Sequence, residues 1–147
     1  MIRKQLAMTI ALFFLLQGSS LATTLSVSSN STNLRSYPDL NGSRVLLQVP
    51  RYYPLRVKEK QDDFYKVQDY QARTGWIHNS VVDYSKGVVV KSRIVNIRRG
   101  PGTQYGISFK AQEGVAFKVL QEKGEWLQVM HESSRKGWIY KPLVWGL

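Results

Sequence analysis

Short runs in which apolar and polar side chains alternate recur along most of the chain. In Val115-Ala116-Phe117-Lys118-Val119 the larger apolar residues stand at every second position, separated by a small residue and a charge, which is the period of a half-buried β-strand. Tyr53-Pro54-Leu55-Arg56-Val57-Lys58 has the same pattern. Each run ends in a turn-rich break, Gln61-Asp62-Asp63 or Lys123-Gly124-Glu125, and a new run follows at Phe64–Gln68 or Trp126–Met130. The pattern predicts two hairpins. A further break, at Tyr70–Thr74 or Glu132–Lys136, leads to Gly75-Trp76-Ile77 or Gly137-Trp138-Ile139 as another strand. Beyond residue 22 no stretch has helical periodicity, so the expected class is all-β.

These elements come in pairs because the chain repeats itself. Asn33-Leu34-Arg35, Val57, Phe64-Tyr65-Lys66-Val67 and Gly75-Trp76-Ile77 return as Asn96-Ile97-Arg98, Val119, Trp126-Leu127-Gln128-Val129 and Gly137-Trp138-Ile139, at an offset of 63 early and 62 late. A period of about 60 residues is long enough for each copy to be a small domain rather than a blade of a larger array. The expected domains are 28–84 and 88–147, parted at Asp83–Gly87, a linker short enough to hold them in a fixed or semi-fixed orientation. Thr23–Thr32 is rich in Ser, Thr and Asn and reads as a loose lead-in without the apolar anchors to order itself.

Within the second copy, Asn96-Ile97-Arg98-Arg99-Gly100-Pro101-Gly102 followed by Trp126, Val129 and Gly137-Trp138-Ile139 resembles the bacterial SH3 domain over roughly residues 88–144. Residues 28–82 resemble a degenerate copy, with Ser36-Tyr37-Pro38-Asp39 where the family has its Gly-Pro turn. The resemblance implies two tandem SH3-like small β-barrels, each with a long irregular loop after its first strand. Gly100 and Gly102 around Pro101 suit such a loop, which needs unusual backbone angles. Arg98 would either brace the loop or contact a ligand, and Arg99 would face solvent.

Strand parity places Leu127 and Val129 inward and Trp126, Gln128 and Met130 outward, with Phe64 outward in the first copy by the same count. Trp126 is then either a binding aromatic or an extension of the core under the loop. By analogy with the proline-peptide groove of eukaryotic relatives, Trp126, Tyr105, Tyr140 and Pro142 would form a shallow aromatic floor flanked by Arg98 and Arg99. Trp76 and Trp138 are implied to be mainly structural.

The amino terminus changes the setting. Arg3-Lys4, the apolar run Leu6–Leu16 and Ser20-Leu21-Ala22 have the form of a cleaved signal peptide over residues 1–22, the run being too short to span a membrane. The mature chain is then exported, periplasmic or secreted, with no transmembrane segment after processing. It contains no cysteine, so each module must be held by packing alone, and aromatic residues supply much of a thin core. The net charge of +11 is uneven: residues 23–84 hold eight basic and six acidic side chains, residues 85–147 eleven and four. A basic exported protein is drawn to anionic surfaces such as wall polymers, phospholipid head groups or lipopolysaccharide, and no specific nucleic-acid partner is expected there.

Catalysis is not expected. Cysteine nucleophiles are absent, His78 and His131 occupy non-equivalent positions, no paired-His metal spacing exists, and the acidic residues lie mainly in turns. No metal or cofactor is implied. The function expected is therefore non-catalytic binding by a monomer, either to peptidoglycan or another anionic wall polymer, or as an adaptor to an envelope protein.

Overall fold

The computed structural model describes residues 22–147, so the expected signal segment lies, apart from Ala22, outside the described residues. The first module comprises β1 (Thr24–Val27), β2 (Ser31–Arg35), β3 (Val45–Pro50), β4 (Pro54–Gln61), β5 (Phe64–Gln68), β6 (Thr74–His78) and β7 (Val82–Asp83). The second repeats them as β8 (Gly87–Val90), β9 (Ile94–Arg98), β10 (Ile107–Gln112), β11 (Ala116–Lys123), β12 (Trp126–Met130), β13 (Lys136–Tyr140) and β14 (Val144–Trp145). Each module forms one antiparallel sheet, in the orders β3-β2-β6-β5-β4-β1-β7 and β10-β9-β13-β12-β11-β8-β14. Short 3-10 turns at Asn79–Val81 and Lys141–Leu143 precede the last strands.

The predicted hairpins fall where the sequence places them. Gln61 pairs with Phe64, and Lys123 with Trp126, across the two turns. Asp62 and Gly124, at equivalent turn positions, have φ of 52° and 57°, the left-handed region that Gly enters freely and Asp tolerates. Each long hairpin carries a register shift, between Val57 and Glu59 and between Val119 and Gln121. An extra residue at that point bends a strand and increases its twist, which lets one strand serve both halves of a barrel. The bulged residue Leu120 is consequently exposed despite being apolar.

Inside, Leu34, Leu55, Val67 and Ile77 form the first core, and Ile97, Phe117, Leu127, Val129 and Ile139 the second. The loose lead-in expected at Thr23–Thr32 is corrected: β1 is a strand paired with β4 and β7, its Leu25, Ser26 and Val27 are buried, and the first sheet therefore begins before residue 28. Buried Ser26 is satisfied by donating its hydroxyl to the Ser85 carbonyl at 2.8 Å.

The two modules share packed surface. Val88 and Val90 point into the second core while Val89, between them, joins the first, together with Ala116 of β11. Ala116, read from sequence as the small residue on a strand's open face, is thus buried because the other module covers that face. Trp145 packs on the first core with the Arg56 guanidinium 5.1 Å from its ring centroid, and Tyr70 donates its hydroxyl to Glu113 at 3.1 Å across the seam. Among the described residues no helix is long and apolar enough to cross a membrane.

Candidate functional site

On the second module a groove of roughly 570 Å³ opens between the long loop and β12–β13. Its floor follows from strand parity. Leu127, Val129 and Ile139 are fully buried on the inner face of β12 and β13, so the directly paired Trp126 and Tyr140 stand on the outer face. Their ring centroids lie 5.4 Å apart at 44°, inside the range in which aromatic pairs attract. Trp126 is half-buried, whereas Tyr140 is 41% exposed, so the pair presents ring surface to solvent.

The opposite wall is the loop Arg99–Gly106. Arg99 N–H donates to Gly106 O at 2.9 Å, closing the loop at its base. Arg98 reaches over from the end of β9, and its Nη1 donates to the carbonyls of Thr103 and Tyr105 at 3.2 and 3.0 Å. Of the two roles open to Arg98, bracing is therefore realised, while its side chain also lines the groove. Gly100 is required by close packing: a Cβ there would lie 2.4 Å from the Tyr105 ring.

The structure brings together three of the six expected residues, Arg98, Trp126 and Tyr140. Tyr105, Arg99 and Pro142 are exposed but do not line the groove. The Tyr105 ring is turned onto Gly100, and in the turn after β13 it is Leu143, not Pro142, that reaches the wall. Sequence reading missed Asn96, Pro101, Thr103 and Gln104 in the lining, although the first two belong to the loop motif that pointed to the site. Trp76 and Trp138 are half-buried and pair with Arg35 and Arg98.

A smaller groove, roughly 340 Å³, occupies the equivalent place on the first module, with Asn33, Arg35 and His78 standing where Asn96, Arg98 and Tyr140 stand in the second. Phe64 departs from its expected exposure. It is only 8% exposed and packs edge-on against His78 at 5.1 Å, so the first groove lacks an open aromatic equivalent to Trp126.

No group of three or more His, Cys, Asp or Glu suited to a metal ion occurs among the described residues. Glu122 and Lys141 form an ion pair outside the groove lining, and their hydrogen bond lowers the pKa of Glu122 and raises that of Lys141, favouring the charged form of each.

Comparison with known proteins gives two family matches, both described as bacterial SH3 domain, over residues 30–83 and 91–146. A Bacillus subtilis protein named as an N-acetylmuramoyl-L-alanine amidase, YrvJ, is 33% identical over 66 residues, 45% of this chain and 13% of that protein. A Staphylococcus epidermidis protein named as a cell wall amidase, LytH, is 31% identical over 58 residues, 39% of this chain and 20% of its own. The chain thus spans a small part of these relatives. Among solved structures, NlpC2 from Trichomonas vaginalis aligns with a TM-score of 0.39 at 15% identity, over 88% of this chain and 50% of that one. An NlpC/P60 family protein from Bacillus cereus aligns at 0.41 and 12%, over 83% and 55%.

Proposed function

The chain carries two bacterial SH3 domains in tandem and belongs to that family, and from this premise we propose that it is an exported, non-catalytic protein that binds peptidoglycan through the groove of its second module. The observation that carries the reading is the Trp126–Tyr140 floor facing a loop braced by Arg98. An exposed aromatic pair offers flat apolar surface, and the loop opposite offers backbone and side-chain hydrogen-bonding groups, a combination suited to a peptide or an amino sugar. The excess of basic residues in the second module concentrates the protein at an anionic wall without itself conferring specificity. Two relatives named as amidases, one of them a cell wall amidase, share sequence with this chain only over a minor part of their length, in keeping with a binding module. The complete lack of cysteine removes thiol nucleophiles.

Co-sedimentation of the protein with purified peptidoglycan sacculi across a salt series tests the reading. Specific recognition predicts binding that persists at high salt and falls about tenfold for Trp126→Ala, the loss expected when one aromatic contact of about 1.4 kcal/mol is removed, while the thermal transition stays in place. Binding that disappears as salt screens the charge, or that Trp126→Ala leaves intact, would overturn it and turn attention to an envelope protein as the partner.

A further inference from the structure

The two modules share one backbone frame around a turn and differ in the side chains that meet there. The backbones match around Tyr53 and Val115. Tyr53 N–H donates to Pro50 O at 3.3 Å and Val115 N–H to Gln112 O at 3.2 Å, while Tyr53 O accepts from Val27 N at 3.1 Å and Val115 O from Val90 N at 2.9 Å. The facing turns match as well. Asp69 N–H donates to Arg73 O at 3.0 Å and His131 N–H to Arg135 O at 2.9 Å, and Ala72 and Ser134 share left-handed φ of 61° and 71°.

Only the side chains differ. In the first module the Tyr53 ring is 3% exposed, and its hydroxyl donates to Asp69 Oδ2 at 3.0 Å. Asp69, 2% exposed, is paired with Arg73 at 2.7 Å. In the second module Val115 stands for the tyrosine, His131 for the aspartate, Phe109 and Phe117 for Leu47 and Leu55, and Arg135 holds the arginine's place with no carboxylate at position 131. A cavity of roughly 700 Å³ lies beside these residues, lined by Phe109 and Val115 and bordered by Lys110, His131 and Arg135, with Phe117 fully buried behind it. The Arg135 guanidinium lies 4.2 Å from the Phe109 ring centroid. No carboxylate lines this cavity, and Ile94 is the one lining residue it shares with the groove described above.

We propose that this cavity is a second ligand site, taking an aromatic ring that bears a carboxylate. The ring lies against Phe109 and Val115, at the place in the fold where the first module carries the Tyr53 phenol. The carboxylate restores the partner that the change from Asp69 to His131 removed, meeting the Arg135 fork, which suits a planar anion, with Lys110 adding charge. The volume falls within the range of roughly 300–1,000 Å³ in which small-molecule pockets are found.

Titration of the purified protein with N-acetyltyrosine, followed by NMR at the Val115 methyls and the His131 ring, tests the site. Saturable shifts at these residues are expected, with a dissociation constant on the order of millimolar or tighter. N-acetyltyrosine amide, which keeps the ring and lacks the charge, binds about tenfold more weakly, and N-acetylalanine gives no saturable shift. Val115→Tyr places a phenol there, as in the first module, and abolishes binding. Arg135→Glu gives an independent test should that variant fold poorly, and weakens binding at least about tenfold. In neither variant does the Trp126 ring signal move. The absence of saturable shifts, equal binding of acid and amide, or undiminished binding by folded Val115→Tyr or by Arg135→Glu overturns the proposal.

Discussion

Tyr53 carries a hydroxyl into the first module, where burial and then the neighbouring Asp69 carboxylate push its ionisation well above the ordinary value of 10.0. Because the folded state holds this proton more tightly than the unfolded chain does, the contribution to stability is complete below pH 10 and declines as pH rises above it. Urea unfolding of the wild type and of Tyr53→Phe between pH 7 and 11 should therefore converge: the variant is less stable at neutral pH by about 1 kcal/mol, one lost hydrogen bond, and the difference shrinks in alkali. A constant difference would assign the effect to packing alone. At this scale the sequence was only partly legible. Alternation fixed the sides of Leu127, Val129 and Trp126, because period two leaves no choice. It did not fix what covers a side, so Phe64 was expected outside and is buried. Nor does alternation foresee Tyr105 lying on Gly100, a contact made by loop geometry that no local pattern encodes.

The hairpins were readable as elements because a turn residue, a strand signal and a repeat all agreed at each of them. β1 was missed although Leu25 and Val27 alternate and align with Val88 and Val90 at the early offset of 63. Four residues are too few for periodicity to outweigh their polar surroundings, and pairing with β4 supplies the order. The long loop of the second module is held by one side chain as well as by its own backbone hydrogen bonds. Arg98 donates to two loop carbonyls, so Arg98→Ala should speed amide exchange at the hydrogen-bonded Arg99, Gly102 and Tyr105 N–H groups by up to about tenfold, exposed bonds being worth less than the roughly 1.5–3 kcal/mol of a shielded charged hydrogen bond. Exchange in β12 should not change. If the loop exchanges at the wild-type rate, its own internal bonds suffice and Arg98 is free to serve a ligand.

Over the whole molecule, the seam between the modules is built from residues with no room to yield. A Cβ at Gly87 would lie 2.0 Å from the Tyr52 carbonyl oxygen and 2.9 Å from the Ser26 Cβ, and one at Gly146 would lie 2.6 Å from Gly87 O. With Val89 and Ala116 counted in the first core, the tandem should unfold in one cooperative calorimetric transition. Gly87→Val, at a cost of about 3 kcal/mol or more from overpacking, should split it into two. Two transitions in the wild type would show that the seam is weaker than either barrel. The short linker points toward a fixed orientation, but the packing that secures it has no sign in the sequence beyond Val88-Val89-Val90, three apolar neighbours where alternation would allow two.

That seam fixes the distance between the two grooves. Modules on a supple tether would engage sites at many separations and gain avidity from each. A pair set by packed valines and glycines instead would gain it only on a target that both grooves accept and whose sites recur at that one span.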